Sequence, residues 1–108
     1  MKYDVRKSPI EGFGAFALQP IPKGESCGVA FTFPRSLLRI GKECVDNEIK
    51  RTMLGRYVNH DVYPNCTFQI VDRGGDIVLE YIASRFIAKG DELTLDYMAM
   101  PWEGVRNF

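Results

Sequence analysis

One stretch, residues 54–66, gathers the side chains of this sequence best suited to holding a polar ligand: Leu54-Gly55-Arg56-Tyr57-Val58-Asn59-His60-Asp61-Val62-Tyr63-Pro64-Asn65-Cys66. Two amides, the only histidine, one proline and two tyrosines make it too polar for a strand and too β-branched and aromatic for a helix, so it reads as a loop. Amide side chains both donate and accept hydrogen bonds, which suits a charged ligand in a partly buried cleft. The same residues also suit an ordinary turn, with Asn59 and Asn65 as caps, Pro64 at the bend and His60 as a satisfied imidazole. Metal chemistry is disfavoured, because Cys27, Cys44 and Cys66 are far apart and form no C-x-x-C. The odd cysteine count also argues against a disulfide framework and for a reducing interior.

Two further segments accompany this loop: Gly12-Phe13-Gly14 before it and Gly90-Asp91-Glu92-Leu93-Thr94-Leu95-Asp96-Tyr97 after it. In order and spacing the three resemble the marks of the SET domain, a family of S-adenosylmethionine-dependent protein lysine methyltransferases. Those marks are a GxG, an R-F-x-N-H-x-x-x-P-N segment and a G-E-E-L-x-x-D-Y ending. A lone GxG would be weak, since any tight turn can show it; the Asn-His with Pro-Asn at fixed offset, followed by Asp-Tyr, is far more specific. The resemblance spans nearly the whole chain and points to the minimal viral or bacterial members.

At 108 residues the chain is expected to be one domain over 1–108, with its site on the core elements themselves. Fourteen basic residues balance fourteen acidic ones and lie scattered, so the footprint of a nucleic-acid binder is missing. The first residues carry charge without an apolar run, and no stretch approaches the roughly 18 apolar residues of a membrane span. A soluble, intracellular protein is expected, cytoplasmic or, for a viral protein, in the host nucleus.

Short strands are expected over 2–7, 14–18 and 28–33, the last closed by Pro34. A hairpin is expected over 67–71 and 77–82, with Gly74-Gly75 supplying the positive φ of its turn. Val45, Ile49 and Met53 recur every four residues and Gly55 stands where a C-terminal cap belongs, so the spacing predicts a helix over 44–54. Residues 17–25 and 83–91 echo each other, each running from Ala through Ile to Lys-Gly-acid. Each reads as a strand end, a turn and a strand start, which makes the class mostly β. The resemblance adds small curved sheets of β-clip type and a knot-like passage of the Asn-His segment beneath the C-terminal motif.

Methyl transfer to a lysine requires a neutral amine, close approach and in-line geometry, and needs no metal. Desolvation and the positive sulfur of the cofactor both favour the neutral amine. By the resemblance, Tyr97 lies where cofactor and lysine meet and orients the amine, since a phenol is a poor base at neutral pH. The resemblance further implies that Asn59 meets the amino-acid part of the cofactor, that the main chain of His60 meets its adenine, and that Gly12, Phe13 and Gly14 approach it closely. Tyr57 and Leu95 fall in the substrate channel, and a leucine at 95, smaller than the aromatic residue of many relatives, implies products beyond the monomethyl form. Arg56 supports the knot or reaches the cofactor carboxylate.

The departures are Asp61-Val62 in place of Ser-Cys, a short segment between Pro34 and Leu54, and no C-x-C after Cys66, which makes Cys66 a small buried hydrophobe rather than a zinc ligand. Trp102, in an apolar run over 98–108, is expected to fold back near the cofactor or channel, to pair with a second copy as a homodimer, or to pack in the domain's own core. The implied partner is a lysine-bearing protein or peptide, a histone or another host protein. The rival reading is a module that keeps the fold but only binds a partner.

Overall fold

The computed structural model describes residues 1–34 and 50–99 of the chain. Strands β1 (Tyr3–Lys7) and β2 (Phe13–Ala17) form an antiparallel pair in which Tyr3 faces Ala17 and Lys7 faces Phe13. Their connection is closed by the Ser8 N–H donating to the Gly12 carbonyl at 2.8 Å, with Gly12 at φ +47°. The second sheet has the order β4-β3-β7-β6-β8-β5. Its members are β3 (Ser26–Pro34), β4 (Lys50–Arg51), β5 (Asn59–His60), β6 (Cys66–Arg73), β7 (Asp76–Ala83) and β8 (Thr94–Leu95).

The strands follow the sequence expectations closely. The hairpin β6–β7 turns at Gly74 and Gly75, both at positive φ, and keeps continuous register from Cys66 opposite Ala83 to Arg73 opposite Asp76. Its inner strand β7 buries Ile77, Val78, Leu79 and Tyr81, whereas β6 turns most of its residues outward. Along β3 the register slips between Ser26 and Gly28, where Gly28 at φ +137° takes a bulge that a residue with a Cβ adopts rarely.

The echoing segments meet each other. Ile21 and Ile87 form a mutual bridge, each N–H donating to the other's carbonyl at 2.8 and 2.9 Å. The Gly24 N–H donates to Ala83 O and the Gly90 N–H to Ala17 O, both at 2.8 Å. Ala83 N–H in turn donates to Glu25 O and Ala17 N–H to Asp91 O, and both glycines sit near φ +90° (88° and 92°). Every bond on one side has its counterpart on the other, so the echo in sequence is a local two-fold frame in space. Ile21 and Ile87 are fully buried at its centre, in one core with Phe31, Leu54, Leu93 and Leu95.

The described end of the expected helix differs from expectation. Residues 44–49 lie outside the described residues, Lys50–Arg51 is a strand, and the helix α1 is Met53–Tyr57, with Gly55 at its middle rather than at its cap. Thr52 starts it: its hydroxyl accepts from Gly55 N–H at 3.2 Å and donates to the Val29 carbonyl at 2.6 Å. Gly55 is needed there because a Cβ would collide with the carbonyl of Ala30. The glycine lets the helix lie against β3 and brings Leu54 into the core, a reason that apolar spacing along one segment does not reveal.

Candidate functional site

Strand β8 runs parallel between two pieces of the motif loop. Asn59 and His60 pair with Thr94 and Leu95 on one side, and Cys66 pairs with Leu95 on the other. Residues 61–65 therefore wrap around β8, which is how this chain realises the threaded passage. Asn65 staples the wrap: buried at 5% exposure, its Nδ2 donates to Glu92 O at 2.8 Å and its Oδ1 accepts from Thr94 N–H at 2.8 Å. The Thr94 hydroxyl accepts from Asn65 N–H, so this buried amide is satisfied at every atom. Asn65 thus does more than cap a turn.

Asn59 faces the turn at Gly12-Phe13-Gly14. Its Nδ2 lies 2.8 Å from Glu92 Oε2 and 3.1 Å from each of Ser8 Oγ, Glu11 O and Phe13 O. The Ser8 hydroxyl donates to both carboxylate oxygens of Glu92 at 2.8 Å. Gly14 makes room for this cluster, since a Cβ on it would run into the Glu92 carboxylate. Gly12 has open space around the position of a Cβ, and its need for glycine is the positive φ.

Tyr97 opens a single 3-10 turn, Tyr97–Ala99, just beyond β8. Its hydroxyl donates to the Val58 carbonyl at 2.5 Å, and its backbone N–H donates to His60 Nδ1 at 3.0 Å. A ring nitrogen that accepts carries no proton, so His60 is the Nε2–H tautomer and offers nothing to Asp96 Oδ1, 3.8 Å from the same nitrogen. The two rings lie 5.2 Å apart at 51°. Burial, followed by the charge of Glu11, raises the pKa of Tyr97 above that of an ordinary phenol. The deeper Tyr81 is raised further by burial and, to a smaller extent, by Tyr97 and Cys66.

The remaining flagged residues divide. Phe13, 58% exposed, meets Tyr57 edge to face at 6.4 Å, and so joins the end of α1 to the glycine turn. Leu95 lies in the core at 1% exposure. Arg56 is exposed in the last turn of α1, and Trp102 lies outside the described residues. Cys66 is buried as expected, with its sulfur 3.8 Å from that of Cys27. The hydrogen bond between them, with burial, pushes the Cys66 thiol up, while the same bond lowers Cys27. A cavity of about 540 Å³ is lined by Tyr3, Cys27, Val29 and Met53 among others, and none of the motif residues borders it.

Two members of the cluster, Glu92 and Ser8, were not among the expected site residues. Glu92 stands inside the quoted C-terminal motif, which was signal enough to ask what its carboxylate meets; Ser8 carries no motif and is found only through the fold. Among the described residues no group of three or more His, Cys, Asp and Glu could hold a metal ion, and no helix is long and apolar enough to cross a membrane.

Comparison with known proteins places this geometry. A histone-lysine N-methyltransferase of Chaetomium globosum, H3 lysine-4 specific, is 27% identical over 114 residues, covering 84% of this chain and 10% of the relative. The Saccharomyces cerevisiae protein of the same description is 38% identical over 61 residues, 56% of this chain and 6% of its own length. The chain thus spans about a tenth or less of the curated relatives it matches. Among solved structures, a candidate histone methyltransferase of Plasmodium falciparum superposes with a TM-score of 0.69 at 24% identity, over 92% of this chain and 95% of that one. A chain of the Chaetomium thermophilum Polycomb Repressive Complex 2, in an autoinhibited conformation with S-adenosylmethionine bound, gives 0.68 at 22% identity, over 97% of this chain and 16% of that one. At such identities these two likenesses speak for the fold alone. The SET domain family model matches residues 35–98, more than half of the sequence, including the wrapped loop, β8 and Tyr97. With that match on this fold, the chain belongs to the SET domain family.

Proposed function

We propose that this protein transfers a methyl group from S-adenosylmethionine to the ε-amine of a lysine in a protein substrate. The observation that carries the reading is the position of Tyr97: its hydroxyl is tied to Val58 beside the loop that wraps β8, and its backbone is tied to His60, next to Asn59 and the glycine turn. The curated relatives named above are described as acting on lysine 4 of histone H3, which makes a histone the first substrate to try.

The residues present fit the cofactor's amino-acid end. Its ammonium needs acceptors and negative charge, and Asn59 with the adjoining Glu92 carboxylate offers both. The exposed ring of Phe13 gives an apolar face to a flat heterocycle. When bound, S-adenosylmethionine supplies an activated methyl group. The chain's own part is to place and desolvate the amine. Tyr97 gives its proton to Val58 O, so its oxygen lone pairs remain to accept from an amine N–H and hold the nitrogen in line. Burial keeps Tyr97 a neutral phenol, so it acts by orientation and not as the base. The amine therefore releases its proton to solvent before it is enclosed.

The test is labelled S-adenosylmethionine with histone H3 and a protein extract, read by mass spectrometry for methyl-lysine. Tyr97→Phe should keep cofactor affinity, measured by calorimetry, and lose about 100-fold in turnover, the scale of a misplaced reacting atom. Near-normal turnover in that variant would sink the role of Tyr97. Cofactor binding without methyl transfer to any protein would leave the binding-module reading in its place.

A further inference from the structure

We infer that Glu92 is a positioning residue that fixes which way the Asn59 amide faces, and that it thereby makes the site select ligands bearing a primary ammonium. The inference rests on the cofactor reading above and adds to it a residue and a selectivity. The four atoms around Asn59 Nδ2 are all oxygens: one carboxylate oxygen at 2.8 Å, two backbone carbonyls and a hydroxyl at 3.1 Å each. The Ser8 hydroxyl has already committed its proton to Glu92, so toward Asn59 it presents lone pairs. Turning the amide over would set Oδ1 against four acceptors, one of them a carboxylate, with no donor between them. The amide is therefore locked with Nδ2 inward and Oδ1 outward.

The outward oxygen is the one that matters for a ligand. Among the described residues nothing donates to Asn59 Oδ1, and no side-chain polar atom is both buried and without a partner. Oδ1 is thus an acceptor that the described residues neither pair nor fully enclose, with a carboxylate behind its amide. Such a group attracts a primary ammonium and has nothing to give a carboxylate. The backbone on both sides is held: Asn59 pairs with Thr94, Phe16 bridges to Glu92, and the carbonyl of Glu92 accepts from Asn65 Nδ2. Gly14 completes the argument, because its missing Cβ is the space that the carboxylate occupies.

The experiment compares two ligands on the full chain by calorimetry: S-adenosylhomocysteine and its deamino analogue, which keeps the carboxylate and lacks only the amine. Wild type should favour the amine-bearing ligand. Glu92→Leu should erase most of that preference, with affinity for S-adenosylhomocysteine falling roughly 10-fold or more and affinity for the deamino analogue nearly unchanged, the scale of a lost charge-assisted hydrogen bond. Glu92→Gln, which keeps an acceptor but not the charge, should fall between the two and serves if the leucine variant does not fold. A merely structural role for Glu92 would weaken both ligands alike, and that result, or an unchanged preference, overturns the inference. In the free protein, the two Asn59 side-chain amide protons should exchange slowly by NMR in wild type and faster in Glu92→Leu. Equal exchange rates would overturn the locked orientation on their own. Wild type that binds neither ligand while its Asn59 protons stay protected would instead bring down the cofactor reading, and the ammonium selectivity with it.

Discussion

The segments 17–25 and 83–91 build the same frame twice and then part company. Each places an alanine, a central isoleucine and a glycine near φ +90°, and each bond given by one is returned by the other. Beyond the first, the chain continues directly into β3 at Ser26, a strand that pairs with β7 and contributes none of the candidate site residues. Beyond the second come Glu92, whose carboxylate gathers Ser8 and Asn59, and Thr94, which Asn65 staples. The difference teaches that one copy of the frame leads into a strand away from the candidate site, while the other leads into residues that belong to it.

The strongest way to break this comparison is at its centre. Ile21→Ala and Ile87→Ala each empty a fully buried position and should each cost about 2–5 kcal/mol in denaturant unfolding. The two costs should be alike, and the double variant should lose less than their sum, because the residues face each other across one bridge. Additive losses of unequal size would mean the frame is not a mutual one.

The glycines sharpen it. Gly24→Ala and Gly90→Ala meet no neighbouring atom within 4 Å, so the cost is conformational alone, about 1–2 kcal/mol each. Their stabilities should fall together, while cofactor affinity should fall only for Gly90→Ala, which leads directly to Glu92. A matching loss of affinity in Gly24→Ala would erase the distinction between frame and site.

The smallest effect is alkaline. In the unfolded chain a tyrosine ionises near pH 10, whereas burial raises Tyr81 and Tyr97 above that in the fold. The unfolded state therefore loses its protons first, and the stability these groups contribute, intact below about pH 10, declines as pH rises past it. Tyr81 precedes the second copy at the place where Ala15 precedes the first, so the sensitivity belongs to one side only. Tyr81→Phe should flatten the decline in midpoint denaturant concentration above pH 10, and an unaltered profile would remove Tyr81 as its source.

Much of this was legible in the sequence because it is local. Gly74-Gly75 announced the hairpin turn, and the β-branched and aromatic run at 28–33 announced β3, since the cause of each lies within a few residues. Most of the helix expected over 44–54 lies outside the described residues, and the short helix at Met53–Tyr57 is not legible in apolar spacing because its cause lies elsewhere: Thr52 caps it while reaching for Val29, and Gly55 is required by the carbonyl of Ala30. At the site, Asn59, His60 and Tyr97 stood out through their motif, and the fold brings them together. Glu92 lies within the motif, but its link to Ser8 is not legible, because their bond joins residues 84 apart in the chain and neither alone suggests the other. Close approach by a ligand is the reason the sequence suggests for Gly14, and the fold adds one it could not show: a Cβ there would meet a carboxylate oxygen of Glu92.

The position of β8 between β5 and β6 has a consequence for how the molecule comes into being. On the ribosome, residues 59–66 emerge well before residues 94–95, at roughly 5–20 residues per second. During that interval the loop that will wrap β8 has nothing to wrap, Asn65 lacks both of its staples, and the first copy of the frame waits with Ile21 unpaired. The β6–β7 hairpin, by contrast, closes from neighbouring residues and needs no later part of the chain. The wrap and its Asn65 staples therefore cannot close until the strand carrying Thr94 and Leu95 has been made.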